Sequence, residues 1–232
     1  RQGGLDERLL AVSGQSQVIA FRAAGAEWLL EFSPSEGRTF FRTPEASLAF
    51  DLVPLPIVIV NGPVASLGGG WVDGAGRVEM LDDPDRPSVL NGVGLTIVAA
   101  DKVTISSHLV LQGVRWQDGV PYAKDSRAEL VICSTGRDAA SGEAREGGVA
   151  VAAGAPDDLK LQASITAAAG GFSIDGPGKE VELLGALHAS GYEGNGSTLA
   201  VVRDERVAAG VFPEDAPLPA APRLAIVSIR GL

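Results

Sequence analysis

The residues best suited to hold a ligand lie between 115 and 127. Arg115, Lys124 and Arg127 supply cations, and Trp116 and Tyr122 supply rings, within Arg-Trp-Gln-Asp-Gly-Val-Pro-Tyr-Ala-Lys-Asp-Ser-Arg. Rings of this kind stack on bases or sugars, and interleaved cations follow a phosphate backbone. Asp118 and Asp125 in the same stretch oppose that use, and loop packing by the two rings is the competing reading. Elsewhere the reactive side chains are scattered. Asp157 and Asp158 could serve as acid and base or bind calcium, but they also read as a solvated turn leading into a strand. His108 and His188, the two histidines, lie far apart in sequence and are expected to lie apart in space without carboxylate partners. Cys133 sits in Glu-Leu-Val-Ile-Cys-Ser, a strand-like context that suits a small apolar residue better than a reactive thiol. Gly68-Gly69-Gly70 lacks the Lys-Ser/Thr of a phosphate loop and reads as a tight corner where backbone passes close to backbone. No Gly-x-Ser-x-Gly elbow occurs. The expectation is therefore no catalytic residue, no metal and no cofactor.

Composition narrows the classes. The chain has 232 residues and a formal net charge of −10, which weakens long-range attraction to nucleic acid without excluding a local basic patch. Lysine occurs at 102, 124, 160 and 179, and arginine supplies the other cations. Glycine is frequent, at 30 residues, and aromatics are only 5%, so the interior must be built from Val, Leu, Ile and Ala. A single cysteine forbids an intrachain disulfide. No apolar stretch is long enough to span a membrane as a helix. The chain begins at Arg1 without Met, and a natural N terminus further upstream is expected.

The elements that must position these residues are short strands. Residues 95–111 contain Leu-Thr-Ile-Val-Ala, Lys-Val-Thr-Ile-Ser and His-Leu-Val-Leu-Gln in succession. In 159–165 the residues Leu159, Leu161, Ala163 and Ile165 alternate with Lys160, Gln162 and Ser164, so the first set should face a core and the second set solvent. Residues 17–22 and 27–32 read as a hairpin, 33–46 as a loop and 47–53 as a strand. Ile57–Val60 reads as a strand buried on both sides. Residues 1–12 read as the end of a helix. Beyond residue 60, Asn-Gly recurs at 61, 91 and 195, and Asp-Gly at 73, 118 and 175, which supplies positive-φ corners. Residues 134–147 read as an exposed excursion, 198–203 as a strand, 211–223 as an extended Pro-rich tail and 225–229 as a possible closing strand. No fixed-length repeat is visible.

The stretch from about 57 to 210 resembles a domain of PilX-type pilus-assembly proteins and large competence-associated minor pilins. The residues that carry the resemblance are Ile57-Val58-Ile59-Val60-Asn61-Gly62, Ser66-Leu67-Gly68-Gly69-Gly70, Leu95-Thr96-Ile97-Val98-Ala99, Val103-Thr104-Ile105 with Leu109, Asp158 to Ile165, Gly171-Phe172, Leu184-Gly185-Ala186-Leu187 and Asp204-Glu205-Arg206-Val207. The resemblance implies a β-solenoid head on a type IV pilus, other pilins as partners, and DNA capture during natural transformation. It further implies a location at the cell surface or pilus, after anchoring in the inner membrane through an N-terminal helix that residues 1–232 do not contain.

The resulting expectation is an all-β chain: a small pilin-like β-element over 1–54, an irregular β-solenoid over 55–210, and a Pro-rich segment over 211–232. The functional expectation is a non-enzymatic, surface-exposed minor pilin or pilus-tip component with a binding head for DNA. A structural scaffold or adhesin is the first alternative. The second is a β-helix polysaccharide lyase or hydrolase, for which Asp157, Asp158, Asp204 and Arg206 are the available residues.

Overall fold

The computed structural model of the chain describes residues 4–51, 57–117, 120–122, 126–204 and 206, with the backbone alone at 116–117 and 120–122. The described residues are nearly all strand or turn, so the chain is all-β. It opens with an antiparallel meander of β1 (Glu7–Ser13), β2 (Ser16–Ala23), β3 (Ala26–Ser33), β4 (Arg38–Arg42) and β5 (Ser47–Phe50). The β2–β3 turn has Ala24 at φ 50° and Gly25 at φ 79°, the left-handed pair that matches hairpin twist. The Ala24 amide donates to Asp6 Oδ2 at 2.7 Å, which holds this turn against β1.

Two sequence expectations fail in this region. Residues 7–13 form a strand rather than a helix end. The run Leu9-Leu10-Ala11 lacks alternation because both faces of β1 are covered. Leu9 and Ala11 pack with Val18, Ala20 and Val78, while Leu10 joins the main core. The expected loop 33–46 contains β4, whose Thr39 is buried and whose Phe41 is half-buried. The expected strand 47–53 is described only to residue 51, and strand structure ends at Phe50.

After the meander come β6 (Ile57–Val60), β7 (Val64–Val72), β8 (Val78–Met80), β9 (Gly94–Ala99), β10 (Val103–Ile105), β11 (Arg115–Gln117), β12 (Val120–Tyr122), β13 (Glu129–Ser134), β14 (Val149–Val151), β15 (Asp158–Ala167), β16 (Phe172–Ile174), β17 (Glu180–Ala189), β18 (Tyr192–Glu193) and β19 (Thr198–Arg203). Setting aside β8 and the β11–β12 hairpin, consecutive strands alternate between two sheets. One holds β6, β9, β13, β15, β17 and β19, all parallel. The other holds β7, β10, β14, β16 and β18 in parallel, and β1 adds parallel to β7, so the meander continues this sheet. β8 folds back antiparallel on β7. The isolated parallel bridges Val89↔Leu111 and Leu109↔Leu161 add a short ladder outside the named strands.

Register stacks like on like. Ile97, Ile132, Ile165 and Leu187 are successive partners, and the three isoleucines are fully buried. In the sheet that holds β6 the sequence distance between partners shrinks along the chain, from Ile57–Thr96 through Ile132–Ile165 to Leu183–Val201, and in the other sheet it also varies, which is why no fixed repeat shows. Leu159, Leu161, Ala163 and Ile165 point into the core as expected. Gln162 does not face solvent: it is wholly buried, because residues 109–111 lie alongside it and the Leu111 amide donates to its Oε1 at 2.7 Å. Ile57 and Ile59 are 44% and 41% exposed, so β6 is not covered on both sides; it is the end strand of its sheet and only Val58 and Val60 face inward.

Gly68–Gly70 lie within β7 and not at the expected corner, but other backbone does pass close to them. A Cβ on Gly69 would sit 2.6 Å from the His108 carbonyl oxygen, and one on Gly70 would sit 2.8 Å from that of Glu79. The corners at Asn91-Gly92 and Asn195-Gly196 use left-handed backbone, with Gly92 at φ 83° and Asn195 at φ 47°. The tail segments 211–223 and 225–229 lie outside the described residues.

Candidate functional site

The hairpin that carries the predicted binding residues is present as backbone. β11 and β12 pair antiparallel with Arg115 opposite Tyr122, Trp116 opposite Pro121 and Gln117 opposite Val120. Arg115 is exposed. Arg127 is exposed too, and its amide donates to Asn91 Oδ1 at 2.7 Å, which fixes the chain leaving the hairpin onto the Asn-Gly corner. Lys124 and the side chains of Trp116 and Tyr122 lie outside the described residues.

A second constellation, which sequence reasoning missed, centres on His108. His108 is 5% exposed. Its Nε2 faces Asp82 Oδ1 at 3.2 Å, and its Nδ1 accepts the backbone N–H of Lys160 at 3.0 Å. A nitrogen that accepts an amide hydrogen carries no proton, so the ring is the neutral Nε2–H tautomer donating to the carboxylate. The expectation that His108 lacks a carboxylate partner is thus wrong. Asp82 lies on the segment after β8, and the sequence gives no sign that it returns to residue 108. His188, exposed near the end of β17, borders an open depression of about 380 Å³ with Thr166 and Leu187.

Electrostatics around His108 set its proton affinity. Burial lowers its pKa most. Asp82 and Asp158 raise it, Lys160 lowers it and Asp83 raises it, and the net result lies below the ordinary imidazole value. Next to it, the Lys160 ammonium is held by Asp158 Oδ1 and Glu182 Oε2, each at 2.6 Å. Burial draws the Lys160 pKa down, but the bonds to the two carboxylates outweigh it and leave the ammonium above its ordinary value.

This arrangement is poor machinery for proton transfer. Both His108 nitrogens already have partners, so the ring cannot take a substrate proton without breaking the Lys160 bond. Lys160 is held charged between carboxylates, the opposite of what a base requires. Asp157 pairs with buried Lys179 at 3.4 Å, and Asp204 accepts from Arg206 Nε at 2.9 Å while the same guanidinium donates to the Ser126 and Ala128 carbonyls. The four residues considered for a lyase are therefore engaged in internal pairs. Among the described residues, no group of three or more His, Cys, Asp or Glu side chains could hold a metal ion.

Two further groups stand apart. Arg8 is wholly buried with its guanidinium carbon 4.9 Å from the Phe21 ring centre, and its three nitrogens have no hydrogen-bond partner among the described residues. Burial lowers its pKa to about 9, so it stays charged at neutral pH, with the ring face as its electrostatic contact. Cys133 is half-buried on β13, where burial pushes the thiol above its ordinary value, away from the thiolate that reactivity needs.

Compared with known proteins, the chain matches no family model, no curated protein and no solved structure.

Proposed function

We propose that this chain is a non-enzymatic, surface-exposed head of a filament assembly of the type IV pilus kind, in which the parallel ladders are successive turns of an irregular β-solenoid. The observation that carries the proposal is the alternation of strands from β6 to β19 between two parallel sheets in stacked register. A stack of this sort buries a continuous core and presents its corners and outer faces to partners. The resemblance to PilX-type and competence-associated minor pilins supplies the pilus context, with other pilins as neighbours and a cell-surface location.

Between a DNA receptor and a scaffold or adhesin, the charges favour the latter. Arg22, Arg42, Arg77, Arg145 and Arg206 each face a carboxylate of the chain itself. Cations neutralised in this way do not form the stripe that general DNA affinity needs, and the net charge of −10 repels phosphate at long range. A nucleic-acid role rests on Arg115, Lys124 and Arg127 with the rings of Trp116 and Tyr122. Anisotropy titration of labelled single- and double-stranded DNA at low salt decides between the two. Scaffold or adhesin predicts no binding at tens of micromolar protein. Binding that disappears, together with its salt slope, in the Arg115→Ala, Lys124→Ala, Arg127→Ala triple variant would put the DNA receptor ahead.

A further inference from the structure

We propose that His108 is an acid-sensitive clasp: protonating its ring breaks the Lys160 N–H···Nδ1 bond and loosens the seam that joins residues 106–111 to β7 and β15. The geometry leaves the ring no neutral way to accept a proton. Nε2 already donates to Asp82, so the incoming proton must go to Nδ1, where the Lys160 amide hydrogen points. Two donors then face each other at 3.0 Å in a buried site, and one must leave.

The seam is held at three backbone points, one at His108 and two at its neighbour Leu109. The His108 carbonyl accepts the Gly69 amide at 3.0 Å, the Leu109 amide donates to the Lys160 carbonyl at 3.0 Å, and the Gln162 amide donates to the Leu109 carbonyl at 2.8 Å. The Ser107 hydroxyl also bonds to Gly69. Residues 106–109, with Leu111, therefore bond to β7 on one side and to β15 on the other. Displacing the ring pulls at both.

The charged groups facing the ring come from two elements. Asp82 and Asp83 approach from the segment after β8, and Asp158 and Lys160 from β15, with Glu182 of β17 holding Lys160 in place. The contact of His108 with β7 is backbone to backbone, through the uncharged Gly69 amide. Asp82 is 66% exposed, so solvent screens its pull on the proton. Burial prevails and the ring's pKa lies below the ordinary value. The clasp's contribution is therefore fully present above the ordinary imidazole pKa and is lost as pH falls through the lowered folded value.

The test is amide hydrogen exchange at Lys160, followed by NMR from pH 7.5 to 5.0 and corrected for intrinsic exchange, together with the His108 ring signals. Between the ordinary and the lowered imidazole pKa, protection of the Lys160 amide should fall on the order of tenfold per pH unit. His108→Asn, whose Oδ1 can accept the same amide and does not titrate, should show no such fall. His188→Asn should keep the wild-type slope. The proposal is overturned if Lys160 protection stays constant while the His108 ring titrates, or if His108→Asn keeps the wild-type slope. Should His108→Asn fail to fold, the wild-type titration decides alone: a ring that titrates at or above the ordinary value also overturns it.

Discussion

Ile165→Ala is the substitution that probes the stacked core most sharply. Ile165 is fully buried at the middle of the column Ile97, Ile132, Ile165 and Leu187. The change removes three carbons, a transfer loss of about 2.4 kcal/mol at ~0.8 kcal/mol per carbon. The neighbours in the column are fixed by parallel ladders on both sides of β15, so they cannot collapse into the space, and a cavity cost adds to the loss. The total should reach about 3–4 kcal/mol. Ile59→Ala is the matched control: the same chemistry on an end strand, at a side chain 41% exposed and pointing away from the core, should cost under about 1 kcal/mol. Urea unfolding with an unchanged slope would report both values. If Ile165→Ala costs less than about 1 kcal/mol, or Ile59→Ala costs as much as Ile165→Ala, the inward and outward faces are wrongly placed.

Gln17→Leu should destabilise by on the order of 2 kcal/mol or more in the same assay, because buried Gln17 donates to the Ala11, Val18 and Ser88 carbonyls and accepts the Leu90 amide, and leucine takes this partner from the Ser88 carbonyl and the Leu90 amide; an unchanged midpoint would refute that role. Gly185→Ala should abolish cooperative unfolding or soluble expression, since Gly185 sits at φ 145° and an added Cβ would land on the Ala163 carbonyl oxygen; a normal melting curve would contradict that close approach. The Asp138 carboxyl lies well below the usual carboxylate range because it accepts the Ser141 amide, the Arg145 guanidinium and the Ala140 amide. Its stabilisation is therefore present above the ordinary carboxylate pKa and is lost as pH falls below it. Hydrogen exchange at the Ser141 amide should accelerate across that acid range in the wild type, beyond its intrinsic rate, and lose this dependence in Asp138→Asn; matching profiles would rule out the carboxylate as the cap.

Alternation was legible where one face meets the core and the other is more open, as in Leu95-Thr96-Ile97-Val98-Ala99. It failed where that contrast is missing. β1 is covered on both faces, so its apolar run carries no period and suggested a helix. β6 has the opposite problem: four β-branched residues suggest double burial, but which strand ends a sheet depends on contacts far along the chain. Gln162 occupies an outward position, yet the backbone of residues 109–111, 51 positions from Leu111 to Gln162, covers it. The same long range hides the His108 cluster, whose Lys160 bond spans 52 positions. The Asn-Gly corners at 91 and 195 were readable because the needed backbone conformation is local.

The proposed role of the chain is a display head on an external filament. The most direct measurement is antibody labelling of intact cells that produce the protein, paired with immunoblotting of the filament fraction released by shearing. The account predicts labelling on unpermeabilised cells and co-purification of the chain with sheared filaments. A chain detected only after permeabilisation, and absent from the sheared fraction, would contradict it.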